Sequence, residues 1–165
     1  MTKVNFPKLA YCYIIVFIAM VAGGYYSNFA MLNWYHSVDK PLLTPPDSVF
    51  PIVWTILYAL VALAFYLALS NEKSDKKRKK LNSWFLGLMF LHVLWNYAFF
   101  FNGYIGMALV VLIAIDILSY MIMMEFWSIS KSPALLFFPY FVWILFATYL
   151  NAAMINLNGY IIMIE

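Results

Sequence analysis

Charge is scarce in this sequence. Asp, Glu, Lys and Arg together make up 10% of its 165 residues, where a soluble domain carries about 25%. That shortfall excludes an ordinary water-soluble fold. Cysteine is scarcer still. Cys12 stands alone, so no intrachain disulfide can form, and neither a cysteine-built metal cluster nor any other metal site is expected. The basic residues clump in one place and form no stripe interleaved with exposed aromatics, which leaves nucleic-acid binding without support. Catalytic signatures are missing as well. There is no G-x-S-x-G, no H-E-x-x-H, no P-loop and no paired carboxylate motif.

What is present is apolar: 66% of residues are hydrophobic and 21% aromatic. A helix needs roughly 20 apolar residues to cross about 30 Å of hydrocarbon. Five stretches reach that length, at 9–32, 49–69, 81–101, 104–127 and 134–157. In lipid every backbone N–H and C=O must be paired within the protein, so a span is either a helix or a barrel strand. The absence of period-two alternation selects helices. The first stretch follows Lys3 and Lys8 as a signal peptide would, but it is too long, and NFAMLNWYH is a poor small-residue cleavage site. It is expected to remain as a helix. The fold expected is all-α, an integral membrane bundle of five transmembrane helices forming one domain over 1–165.

The run NEKSDKKRKK (71–80) holds six of the ten basic residues. Lys and Arg in short loops mark the cytoplasmic side of a bacterial cell membrane. That side then also takes Lys3, Lys8 and Lys131 and leaves Lys40 outside, so the N-terminus is expected in the cytoplasm. The run itself reads as a solvated charged loop, with contact to anionic lipid as an alternative. On the outer side lies the longest connection, 33–48. Four prolines fall within the twelve residues from Lys40 to Pro51. Proline fixes its own φ and restricts the residue before it, so this loop is expected to be ordered. It reads either as a helix start with Trp34 and Tyr35 as interfacial anchors, or as a lid over the bundle mouth. Trp34, Lys40, Pro41, Pro45 and Pro46 are the candidate lid residues.

Depth can be counted from the outer surface at about 1.5 Å per residue. Trp54, Asn96 and Asn151 then fall in the outer third of the membrane, and His92, Asp116 and Trp143 nearer its middle. Trp54 and Tyr58 lie one turn apart on one face of the second helix. His92, Asn96, Phe99 and Gly103 share a face of the third, and Trp143, Ala147 and Asn151 a face of the fifth. Buried tryptophans are ordinarily core, and Asn96 and Asn151 could serve as interhelical hydrogen bonds worth about 0.6 kcal/mol each. Ala147, one turn from Trp143, leaves a gap where a larger residue would fill it. Flat aromatic walls, a few amides and small-residue gaps suit a flat, largely apolar ligand, against the plain alternative of core packing.

Asp116 is the only carboxylate deep within a span, a costly placement that calls for a partner. His92, at similar depth, is the expected one, as a structural pair or as a proton-handling or ligand-contacting group. A single histidine could also ligate a haem iron, although a lone helical histidine is more often packed. The spacings Ala19–Gly23–Ser27 and Ser83–Gly87 give small-residue faces that serve either a dimer contact or packing inside the bundle.

In order along the chain come WY at Trp34–Tyr35, KP and TPP within Lys40–Pro46, VFPIVWTILY at Val49–Tyr58, WNYAFF at Trp95–Phe100 and PYFVWILFATYLNAAMINLN at Pro139–Asn158. Together, on five expected spans, they resemble the tryptophan-rich sensory protein / translocator protein (TspO/MBR, peripheral-type benzodiazepine receptor) family across essentially the whole chain. The resemblance implies a five-helix bundle that binds porphyrins, above all protoporphyrin IX or haem, in a pocket under the first loop. It also implies isoquinoline- and benzodiazepine-type ligands, a homodimer in the lipid bilayer, and no required cofactor. Bacterial members are associated with tetrapyrrole-linked stress regulation, and some promote light-dependent oxidative breakdown of the bound porphyrin. Carried onto this sequence, the tryptophans tied to that chemistry are Trp54 and Trp143. The pocket amide and aromatic are Asn96 and Phe99, and the small pocket residue is Ala147. Tyr58, His92 and Asn151 complete the ligand-binding set expected here.

The sequence also departs from the family pattern. Leu43 stands where a tryptophan is frequent, Pro51–Ile52 replaces a Gly-Pro, and His92 replaces a frequent asparagine. No basic residue follows Lys131, so a cholesterol-type motif is not expected. The first expectation is a porphyrin-binding receptor or sensor, with the propionates facing Lys40 at the mouth. The alternative is enzyme-like photo-oxidative degradation of the bound ring. A transporter ranks below both, because five helices show no two-fold repeat.

Overall fold

The computed structural model describes residues 4–161; Lys3, expected on the cytoplasmic side, lies outside them. The described chain contains no strand. Its helices are α1 (Phe6–Asn33), α2 (Val49–Asn71), α3 (Asp75–Asn96, continued by a π-helical turn at Tyr97–Phe101), α4 (Ile105–Ile129) and α5 (Lys131–Asn158). Local chemistry sets where they begin. Asn5 caps α1, its side chain accepting from the Lys8 N–H at 3.1 Å, and Pro7 occupies the first turn. Proline costs nothing there because the first N–H groups of a helix have no intrahelical partner. Pro51 likewise falls in the first turn of α2.

The basic run corrects one expectation. It is not a solvated loop: only Glu72–Ser74 breaks the helical path, and Asp75 to Lys80 form the opening turns of α3. Ser74 is the cap, with Asp75 as the acidic residue in the first turn. Positive side chains at a helix start oppose its dipole, and neighbours offset them. Arg78 pairs with Asp75, while Glu125 on α4 receives Lys80 at 2.8 Å and Lys77 at 4.0 Å.

The helices form a ring in the order α1, α2, α5, α4, α3, with α1 and α5 standing apart across it. Each of the five is long and apolar enough to cross a membrane. Ile14, Phe17, Ile18, Phe90, Val110 and Ile117 all point outward. In water so continuous an apolar surface would drive association. In hydrocarbon it carries no penalty, and the chain is a multi-pass integral membrane protein.

The two ends of the ring are packed differently. At the charged end Phe65, Phe85, Phe126 and Phe137 are all fully buried. Phe65 stacks on Phe85 at 4.3 Å between centroids, and Phe126 meets Phe65 edge-on at 4.9 Å. Polar ties close the outside of this end: Lys8 Nζ donates to the Leu69 carbonyl, and the Tyr11 hydroxyl to Asn82 Oδ1 at 2.7 Å. At the other end, under the 34–48 loop, the ring is hollow.

Candidate ligand-binding site

The hollow is a cavity of about 430 Å³ walled by α1, α2, α3, α5 and the loop. One wall is aromatic. Trp54 lies beside Tyr58 at 5.4 Å between centroids and meets Trp143 edge-to-face at 6.4 Å. Trp95 and Phe50 belong to the same wall, Trp95 at 6.0 Å from Trp54 and Phe50 packed on Trp143 at 6.2 Å. Edge-to-face and tilted pairs at these spacings are favourable and hold one another's orientation. On the α1 side two adjacent glycines, Gly23 and Gly24, sit between Met20 and Met31. A Cβ added to Gly24 would meet nothing within 4 Å, whereas one on Gly23 would press on the Asn96 amide at 3.1 Å. Ala147 adds a second small-residue gap on the α5 side.

Of the ligand-binding residues expected, Trp54, Tyr58, Asn96, Phe99, Trp143, Ala147 and Asn151 line this cavity and His92 does not. His92 is fully buried behind the aromatic wall, packed edge-on to Trp54 and Tyr58 at 5.5 and 5.6 Å. Nor does it pair with Asp116. Its Nε2 lies 2.7 Å from the Tyr140 hydroxyl on α5, while Asp116 accepts from the Thr148 hydroxyl at 2.8 Å along the α4–α5 seam. The reason is azimuth. Ile115 and Ser119 form the inward face of α4, and Asp116 is turned about 100° away from Ile115. With Nε2 engaged and the ring shut off from the cavity, His92 does not reach a haem iron in this arrangement.

The amides divide similarly. Asn151 ties helices together, donating to the Ile105 carbonyl at 2.8 Å. Asn96 instead bonds its own helix, donating to the His92 carbonyl at 2.8 Å. The Ala19–Gly23 face of α1 is buried inside the bundle, with Gly23 against Asn96, so there the small residues serve internal packing.

The loop covers the mouth. Trp34 and Tyr35 are 3% and 6% exposed, so they are not free interfacial anchors. The Trp34 indole donates to the Phe100 carbonyl at 3.0 Å, and its ring rests near Phe99. Lys40 and Pro41 line the cavity together with Thr44 and Asp47, whereas Trp34, Pro45 and Pro46 do not. Lys40 Nζ sits 4.7 Å above the Tyr35 ring. Burial, and then the Asp47 carboxylate, push the Tyr35 phenol up to about 12, so the ring beneath Lys40 is neutral at physiological pH.

Several participants were not singled out from the sequence. On α5 the face Trp143–Ala147–Asn151 extends by helical steps back to Tyr140 and on to Asn158, which bonds the lid; following the stripe in both directions finds both. From α1 the cavity also takes Met20, Gly24, Asn28 and Met31 beside Ser27, but that helix is apolar over most of its length and carries little contrast to reveal them. The assembled site has apolar flat walls, a charged mouth and no nucleophile held by a base. It can enclose a flat ring system and orient polar substituents outward.

Comparison with known proteins agrees with this architecture. The family model described as the TspO/MBR family matches residues 12–157. The tryptophan-rich protein TspO of Archaeoglobus fulgidus is 34% identical over 155 residues, covering 94% of this chain and 99% of its own length. The tryptophan-rich protein TspO of Bacillus cereus is 31% identical over 153 residues, covering 88% and 95%. The translocator protein of Bos taurus is 27% identical over 133 residues, covering 80% and 79%. With that match running from α1 to the end of α5, over the same helices that build the cavity, the chain belongs to the TspO/MBR family.

Proposed function

We propose that the protein is a membrane-embedded porphyrin-binding sensor, with protoporphyrin IX or haem held in the cavity beneath the lid. The observation that carries this reading is the pair Trp54 and Trp143, set edge-to-face on one wall of a hollow of about 430 Å³. That volume lies in the range of small-molecule sites, about 300–1,000 Å³. The macrocycle stacks along Trp54, Phe99 and Trp143, with Gly24 and Ala147 leaving room for its edges. The propionates face the mouth, where Lys40 lines the cavity. Isoquinoline- and benzodiazepine-type compounds compete for the same walls. The same reading has the chain as a homodimer in a bacterial cell membrane, its N-terminus cytoplasmic.

The test is a titration of intrinsic tryptophan fluorescence with protoporphyrin IX. Saturable quenching is expected in the micromolar range, roughly −8 kcal/mol, and is lost in a Trp54→Ala, Trp143→Ala double variant. Quenching that never saturates, or that the double variant retains in full, would falsify the assignment. A second reading draws on the same tryptophans: light-driven oxidation of the bound ring by dioxygen, the ring acting as photosensitiser and the indoles as electron donors or radical sites. The contact of Trp54 with both Trp143 and Trp95 favours it. Phenylalanine at 54 and 143 keeps most of the aromatic area but gives up an electron less readily, so under light the bleaching slows far more than binding weakens.

A further inference from the structure

The last residue of α5 reaches across the mouth to the lid. Asn158 Nδ2 donates to the Asp39 carbonyl at 2.8 Å, and the Asp39 N–H donates to Asn158 Oδ1 at 3.0 Å. A primary amide bonded in this way imitates a neighbouring strand. It satisfies both backbone groups of one residue and makes no use of the Asp39 side chain. The amide is also held in place on its own side, Nδ2 donating to the Met154 carbonyl at 3.1 Å. Beyond it, Gly159 turns the chain at φ 81, a conformation that favours glycine. The Tyr160 carbonyl then accepts from the Gly106 N–H at 2.9 Å, and the Tyr160 ring covers Gly106 so closely that an added Cβ would lie 2.8 Å from it. The chain on both sides of Asn158 is therefore fixed.

The lid's other tie, the Trp34 indole on Phe100, lies at the start of the loop. From Lys40 to Ser48, among the described residues, no hydrogen bond joins the lid to any element other than the start of α2. The bonds there are local, Thr44 N–H to the Pro41 carbonyl and Val49 N–H to the Pro46 carbonyl, both at 2.9 Å. Yet this half supplies Lys40, Pro41, Thr44 and Asp47 to the cavity wall, and its prolines stiffen it. We propose that Asn158 is the latch of the lid: releasing Asp39 lets 40–48 swing off the cavity as one stiff flap, turning about Trp34–Tyr35 and the start of α2. The inference rests on the lid and cavity alone and is independent of which ligand the cavity takes.

The test needs no ligand. Ala147→Cys places a thiol on the cavity wall of the otherwise native chain, whose Cys12 is fully buried in the half of α1 nearest the charged end. Purified protein in detergent is exposed to a small anionic thiosulfonate reagent, and labelling of each cysteine is followed by peptide mass. Adding Asn158→Ala speeds labelling at position 147 by about tenfold, the effect of losing two modest hydrogen bonds, while Cys12 stays unlabelled. Adding Asp39→Ala changes nothing, since both backbone groups of the latch remain. An unchanged rate with Asn158→Ala overturns the proposal. Labelling of Cys12 in step with position 147 overturns it too, because the whole bundle has then loosened. Equal acceleration by Asp39→Ala does the same, for the tie would then run through the side chain.

Discussion

His92 Nε2 and the Tyr140 hydroxyl share a hydrogen bond at 2.7 Å in a site with no access to water, so each is costly to remove alone. Tyr140→Phe leaves the imidazole without its partner and is expected to destabilise by ~1–3 kcal/mol. Adding His92→Leu to it should cost clearly less than the two single changes combined, because the stranded imidazole is then gone and only the Ser119 hydroxyl, 3.5 Å from the Tyr140 oxygen, has lost a partner. Thermal unfolding of the four proteins in one detergent checks this; additive costs would show that the bond contributes nothing. Tyr35 gives the residue scale a pH signature. The fold favours the neutral phenol, whose ordinary value near 10 rises to about 12. Its contribution to stability is therefore complete below pH 10 and is lost as pH rises through 12. Alkaline unfolding between those limits should be shallower in Tyr35→Phe than in the native chain; identical curves would remove Tyr35 from the account. The sequence reached the chemistry of these residues but not their partners. Counting along a helix gives depth, and depth put His92 level with Asp116. Which way each side chain faces depends on how α3 and α4 are rotated against their neighbours, and that rotation is settled by packing the whole ring.

Among the elements, the π-helical turn after α3 has the largest local effect. Its wider loop of backbone, with the Asn102 N–H bonding the Tyr97 carbonyl and the Tyr104 N–H the Ala98 carbonyl, inserts an extra residue before the chain turns. The Phe100 carbonyl there accepts from Trp34, and Phe99 stays on the cavity wall. Gly103, expected to continue the His92–Asn96–Phe99 face, instead leaves the helix at φ 64. Gly103→Ala is expected to lower stability by about 1–2 kcal/mol, the steric cost of a Cβ in the left-handed region. A melting temperature unchanged by the substitution would show that the turn can relax. The five spans were legible because length and hydropathy alone decide them in lipid. The π turn was not, since nothing in NYAFFFNG distinguishes a wide turn from a regular one until Trp34 is placed against it. The charged run misled for a related reason: so dense a charge suggests a loop, although Lys and Arg form helices well, and the Ser74 cap, Asp75 in the first turn and the Glu125 partner on α4 support the helix.

For the molecule as a whole, the clustering of Lys and Arg at one end predicts an orientation that cysteine chemistry can test. In a Cys12→Ser background, Lys73→Cys should resist an impermeant thiol reagent in intact cells, while Leu42→Cys on the lid should react readily. The opposite pattern would turn the cavity toward the cytoplasm. Whichever way it faces, the hollow is blind. Phe65, Phe85, Phe126 and Phe137 plug the ring below it, and parting them would forfeit full burial as well as stacking worth about 0.5–1.5 kcal/mol per pair. A cul-de-sac fills and empties at the same mouth. On the proposed function, its occupancy would therefore track the ligand concentration on the lid's side alone. Arrival and departure are slowed by the same door, so a slow lid lengthens the memory of a past exposure without changing the level at which the site is half full.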